Sequence, residues 1–332
     1  MRGVYAPISS LHDDMGFRIR FPSRRKLLRL AREGSRVART MVSSRCSPRV
    51  AAEIIRATEK LGYVPDVRNP RSFNEKIIYR KLFAPPRDAH ILADKFAVRS
   101  RVAALVGERY LIPLIAVYES ADEIDLARLP KAFVIKANHA CGRNVIVTDR
   151  DAIDPDWLRR ECSAFLAAGF GEETNERWYR DMPRRLVVEE LLVEEGLEAP
   201  LDYKFFVFDG KPAFVQVDFD RFTAHTRSLY TPAWERIDAS YGHPPGPDIG
   251  RPELLDEMLA LAGRLAGDID FVRIDLYSPA GSGRIYVGEF TFAPVAGWGR
   301  FGPTKEVDFR FGEFWRLDRS RTAEEAGAQS RG

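Results

Sequence analysis

The chain has 332 residues, of which 45% are hydrophobic and 11% aromatic, enough apolar material for a large core and against global disorder. No apolar run approaches the ~18 residues that a membrane span needs. The net charge of +3 is uneven: residues 17–49 hold eleven Lys or Arg against one acid, Glu33, a segment of +10 that leaves the rest at −7. The body therefore carries no electrostatic footprint for nucleic acid, and no nucleic-acid partner is expected.

In chain order, residues 1–16 contain Asp13 and Asp14 and lack the apolar stretch of a secretory leader. Residues 22–39 read as a helix in which Leu27, Leu28, Leu30 and Val37 sit among arginines. Each such cation near anionic lipid adds ~1 kcal/mol, so segment 17–49 is expected to make peripheral contact with an anionic membrane. The plainer reading is a solvated helix. Residues 49–61 and 73–83 read as helices, the second opened by a capping box at Ser72 and Glu75. A longer helix is expected over about 87–106, closed by Gly107.

Beyond residue 130 the texture changes to strands. Residues 133–137 and 144–148 flank the polar tip Asn138–Arg143, and 152–168 reads as a helix. Residues 186–193 form a strand carrying Glu189 and Glu190. Residues 203–208 and 212–218 form a second hairpin around Asp209-Gly210. A helix at 252–267 precedes a third hairpin, 271–277 with 284–292, and 319–332 reads as a polar tail. Hairpins separated by helices, without regular strand–helix–strand alternation, give an α+β fold.

Cys46, Cys141 and Cys162 are sparse and odd in number, which suits a reducing compartment. The five histidines show no zinc-ligand spacing. There is no phosphate-loop GxxxxGK[ST] sequence. Gly297–Gly302 matches GxGxxG, but only thirty residues follow it, with no good strand among them, and a dinucleotide site requires one. Asp218-Phe219-Asp220 resembles the DxD of metal-dependent glycosyltransferases, or is a pair of solvent-facing acids at a hairpin end. A distributed set is more suggestive: Lys136, Lys204, Glu189 and Glu190 on strands, and Asp275 and Glu289 on two arms of one hairpin, able to face each other. These supply cations for phosphates and hard oxygens for a metal.

Further residues carry a family resemblance. They are Ser72–Lys76, Ala93–Arg99, Tyr110–Leu114, Lys136–His139, Asp202–Phe206, Phe271–Tyr277 and Gly288–Phe292. Over roughly residues 69–318 the chain resembles the TupA-like branch of the ATP-grasp superfamily. The resemblance implies an ATP-grasp fold in which two α+β lobes clasp ATP, preceded by a helical region. The expected parts are a basic arm (1–48), a helical region (49–130), a lobe with the hairpin phosphate loop (131–198), a metal-binding lobe (199–318) and the tail (319–332). It further implies an ATP- and Mg²⁺-dependent carboxylate–amine ligase working through an acyl phosphate on small-molecule or polymer-linked substrates. Its setting would be cell-surface polymer synthesis at the cytoplasmic face. By position, Arg273 and Lys204 act catalytically. Lys136, His139, Gly142, Arg143, Glu189, Glu190 and Lys204 bind nucleotide, and Asp275, Glu289 and Thr291 hold the metal. Two departures stand out: Ala140, Cys141 and Arg143 occupy a tip that is glycine-richer in relatives, and Thr291 stands where many relatives have asparagine. The rival readings are a glycosyltransferase using Asp218 and Asp220, and a non-catalytic ATP-grasp module.

Overall fold

The computed structural model describes residues 4–5, 47–194, 200–220 and 224–317. The expected basic arm, apart from its last few residues, and the 319–332 tail lie outside them. The chain divides into two units. One comprises the strand at Val4–Tyr5 with Arg87–Ile237 and Gly246–Phe292, and the other comprises residues 47–86, Asp238–Pro245 and residues 293–317. Among the described residues there are seven α-helices, and no helix is long and apolar enough to cross a membrane.

The first unit holds two antiparallel sheets. Strands β1 (Val4–Tyr5), β2 (Leu114–Tyr118), β3 (Phe133–Ala137), β4 (Asn144–Val147) and β5 (Leu186–Glu190) align in the order β1-β4-β3-β5-β2. A helix at Pro155–Ala167 begins where the Asp154 carboxylate accepts from the Asp156 amide at 2.9 Å. It buries Leu158, Cys162 and Phe165 against Phe133, Ile135, Val145 and Val188. The alternation of residues 133–147 therefore reflects one face packed on this core.

Strands β6 (Asp202–Phe208), β7 (Lys211–Phe219), β8 (Thr226–Tyr230) and β9 (Arg236–Ile237) join two later strands in a six-stranded sheet. With β10 (Ser240–Tyr241) counted in the second unit, the later strands are β11 (Phe271–Tyr277) and β12 (Tyr286–Thr291). The order is β12-β11-β6-β7-β8-β9. The helix Leu255–Ala266 covers one face with Leu255, Met258, Leu261 and Leu265. The β6–β7 turn places Asp209 and Gly210 at φ 46° and 73°. A Cβ on Gly210 would sit 2.9 Å from the Gly267 carbonyl, so this turn packs backbone against backbone.

The expected helix over 87–106 is instead two, Ala89–Leu92 and Val98–Val106. The Asp94 carboxylate accepts from the amides of Phe96 and Ala97 at 2.8 and 3.1 Å. The Lys95 amide donates to the Asn138 carbonyl at 3.2 Å. Three successive amides thus leave the helical ladder, which breaks the helix even though the apolar spacing continues through it.

In the second unit, Pro48–Leu61 starts at Ser47 and ends at Gly62 in the left-handed region, and Phe73–Phe83 carries the capping box. Arg49, counted with the basic arm by charge, lies in the first of these helices and donates to the Lys81 carbonyl at 2.8 Å. Strands β10 and β13 (Phe301–Gly302) pair, and a helix spans Lys305–Gly312. The GxGxxG match lies across a 3-10 turn and β13, followed by the helix Lys305–Gly312 but by no further strand among the described residues. Long-range polar bonds fix this unit. The Tyr63 hydroxyl donates to Asp308 at 2.7 Å, and the Asn74 side chain donates to Asp308 and to the Gly299 carbonyl, each at 2.8 Å. Lys81 pairs with Glu53 at 2.8 Å, fully buried.

Candidate functional site

One face of the six-stranded sheet carries a transverse row of charge. Asp275 on β11 stands in direct register with Glu289 on β12 and with Lys204 on β6. Side chains on neighbouring strands in register point to the same face, so these three are brought together by backbone pairing. Arg273, two residues along, donates from Nε and Nη2 to both Asp275 oxygens at 2.7 Å each. The same Nη2 reaches Glu289 at 3.1 Å and the Thr291 hydroxyl at 3.0 Å. Thr291 in turn donates to Glu289 at 3.1 Å. The Lys204 ammonium donates to Asp275 at 2.9 Å and also to Asp202.

Burial pushes the Asp275 carboxyl up to about 6 against the pull of Arg273 and Lys204. Burial would also raise Glu289, but Lys95, Arg273 and Lys204 outweigh it and hold that carboxyl at about 2. Burial opposes the charge of Lys204, yet Asp202 and Asp275 overcome this and raise its pKa. The row is therefore ionised at neutral pH.

On the other sheet, Lys136 of β3 donates to Glu189 of β5 at 2.8 Å, and Arg99 takes the second Glu189 oxygen at the same distance. Burial works against the Lys136 charge, but Glu189 raises its pKa on balance. Glu189 is thus committed to two cations, whereas Glu190 is exposed. At the hairpin tip Gly142 adopts φ 71°, Cys141 is exposed and Arg143 is half-buried. His139 sits differently from the sequence expectation. It is 1% exposed, with its ring nitrogens 3.2 Å from the Asn138 side-chain oxygen and 3.3 Å from the Ala168 carbonyl. Its place is in the core beneath the tip, where burial lowers its pKa.

The DxD pair does not converge. Asp218 is buried and held well below the usual carboxylate range: burial would raise it, but Arg227 dominates, donating from Nε at 2.5 Å. Gln216 adds a further bond at 2.9 Å. Asp220 lies exposed just past the strand in the left-handed region, at φ 48°.

Sequence reasoning missed Lys95, Arg99, Asp202 and Arg227 as partners of this site. Ala93–Arg99 and Asp202–Phe206 were visible as motifs without a role for Lys95, Arg99 or Asp202, and Arg227 needs strand register to be found. Among the described residues, no group of three or more His, Cys, Asp and Glu is placed to hold a metal. The donor chemistry nevertheless fits Mg²⁺. The ion is usually held by one or two carboxylates and takes its remaining ligands from water and phosphate, and Asp275 and Glu289 are two such carboxylates in register.

A family model described as TupA-like ATPgrasp matches residues 75–316. No curated protein matches the chain. Similar solved structures include D-alanine–D-alanine ligase from Bacillus anthracis complexed with ATP, at 17% identity and TM-score 0.36, covering 71% of this chain and 60% of that one. D-cycloserine synthetase DcsG gives 14% identity and TM-score 0.39, with 67% and 69% covered. ATP-grasp ligase PsnB complexed with minimal precursor gives 13% identity and TM-score 0.34, with 62% and 54% covered. The chain thus spans little more than half the length of PsnB.

Proposed function

Since this chain belongs to the TupA-like ATP-grasp family, we propose that it is an ATP- and Mg²⁺-dependent carboxylate–amine ligase. The observation that carries this reading is the row Glu289–Asp275–Lys204, bridged by Arg273 and set in register by three strands. In the proposed reaction a substrate carboxylate oxygen attacks the γ-phosphorus of ATP and ADP leaves. An amine then attacks the acyl phosphate carbonyl and inorganic phosphate leaves. The first step brings like charges together: two unit charges 4 Å apart repel by about 4 kcal/mol at an effective dielectric of 20. Fixed cations offset that repulsion and stabilise the charge spread over the transferred phosphoryl group.

The residues divide as follows. Asp275 and Glu289, with the Thr291 hydroxyl beside them, would hold Mg²⁺, which when bound neutralises phosphate charge. Lys204 and Arg273 are now balanced against these acids and Asp202, and are the groups that would turn to phosphate oxygens. Lys136, kept charged by Glu189, and the Gly142 and Arg143 tip would meet the phosphates from the other sheet. Glu190 is the acid that would meet the adenine or ribose. In this reading the lobes are 131–198 and 199–318, although residues 238–245 and 293–317 of the second range belong to the second unit. We place the substrates, small or polymer-linked, in cell-surface polymer assembly at the cytoplasmic face. The committed Asp218 carboxylate speaks against the glycosyltransferase reading.

The test is ADP release with Mg²⁺ over a panel of carboxylic acids and amines, run on wild type and Glu289→Gln. We expect a folded variant that has lost most turnover. Unchanged ADP release would refute the metal assignment, and MgATP binding without ADP release on any pair would favour the non-catalytic module.

A further inference from the structure

The motif Ala93–Arg99 matches the family but has no role in the reading above. In the structure this short segment between two helices reaches both sheets of the first unit. The Asp94 carboxylate accepts from the Asn138 side chain at 2.8 Å, and the Lys95 amide donates to the Asn138 carbonyl at 3.2 Å, so the base of the β3–β4 hairpin is pinned. The Lys95 ammonium goes further. It donates to the Ala140 carbonyl, inside the hairpin tip, at 2.6 Å, and lies 3.7 Å from the Glu289 carboxylate on β12. Arg99, one turn on, fixes Glu189 and through it Lys136.

A lysine with only a surface role lays its stem on the protein and turns its ammonium to water. Lys95 does the reverse. Its side chain is 17% exposed, and its ammonium faces two acceptors supplied by different sheets. Ala140 is itself 1% exposed, so its carbonyl depends on a protein donor rather than on bulk water.

We propose that Lys95 is a positioning residue of the nucleotide site, tying the hairpin tip to the Glu289 carboxylate so that the tip's backbone is held over the charged row. This rests on the nucleotide reading of that row. In this role Lys95 acts through the Ala140 carbonyl and the carboxylate, and it also balances Glu289 while no metal is bound.

Arg143 provides a readout that needs no turnover, because trypsin cuts after it only when the tip lifts. In nucleotide-free protein, Lys95→Met should speed cleavage after Arg143 by about tenfold, the worth of one charge-assisted hydrogen bond. Cleavage after Arg128, whose side chain is 86% exposed in the same unit, should stay at the wild-type rate. Calorimetry should show MgATP binding weakened by a similar factor, about tenfold. Lys95→Arg, which keeps the charge and a donor of similar reach, should restore both. Should the Met variant be cut everywhere, Lys95→Gln is compared in its place. Equal rates after Arg143 in wild type and variant, or no rescue by arginine, would overturn the proposal. If the cut speeds up but wild type binds no MgATP, the tie stands and the nucleotide reading fails.

Discussion

Lys136 and Lys204 are alike in sequence, each a lysine in a strand, but the structure predicts that their removal has very different consequences. Lys204 is 5% exposed and pairs with both Asp202 and Asp275. Lys204→Met leaves buried carboxylates short of a partner, which costs about 3–5 kcal/mol. At roughly 2–4 °C per kcal/mol for a unit of this size, Tm should fall by roughly 6–20 °C. Lys136→Met leaves Glu189 still paired with Arg99 at 2.8 Å, so the loss should be about 1 kcal/mol or less. The two should also differ with pH. Asp275 at about 6 lies above the ordinary 3.8, so the folded chain holds more protons than the unfolded chain between those values. Stability from this group is therefore present at low pH and lost as pH rises through about 6. Without Lys204 the carboxyl rises further, so the Lys204→Met deficit should be large at pH 7.5 and smaller at pH 5. Glu289, held down from 4.5 to about 2 against its burial, titrates below both assay pH values in the wild type. Thermal unfolding of the three proteins at both pH values is the assay. Equal losses for the two variants, or a Lys204→Met deficit independent of pH, would refute the reasoning.

Two further outcomes are expected. Arg143→Gly adds a glycine to the tip but removes a half-buried cation, so MgATP binding by calorimetry should weaken about tenfold if arginine clamps phosphate; tighter binding would show that Arg143 obstructs. Val295 is 44% exposed with φ 50°, a left-handed backbone that strains a β-branched residue. Val295→Asn should raise stability by about 1 kcal/mol in denaturant unfolding, and a loss would show that the valine side chain makes a needed contact.

The hairpins were legible because each has an alternating face and a recognisable turn. Asp275 and Glu289 could be placed on facing arms of one hairpin, but their direct pairing depends on a register shift between Asp275 and Leu276 that the alternation does not reveal. What local pattern could not supply is who neutralises whom. Arg99 meets Glu189 across 90 residues, and Lys95 meets Ala140 across 45. Arg227 could not be matched to Asp218 because β8, with Arg and Ser in its short run, does not read as a strand. β2 was hidden for a different reason: Pro113 interrupts its apolar run just before the strand begins. The misread helix over 87–106 has one physical cause, a carboxylate that takes amides from the helical ladder. His139, expected to meet the nucleotide, is buried with its ring nitrogens against Asn138 and the Ala168 carbonyl, a placement that local pattern does not reveal.

The second unit is assembled from segments far apart in the chain, and this bears on how the protein is made. Asn74 and Tyr63 share a partner in Asp308, which follows them by 234 and 245 residues. At about 5–20 residues per second of synthesis, roughly ten to fifty seconds separate their emergence from the ribosome. During that interval the helices Pro48–Leu61 and Phe73–Phe83 are made but their apolar faces lack the residues that cover them, among them Ala296 and Trp298. The first unit also ends earlier in the chain, at Phe292, so its last strand is complete before the second unit can close. A chaperone that binds exposed apolar helix faces would therefore have its longest opportunity on these two helices.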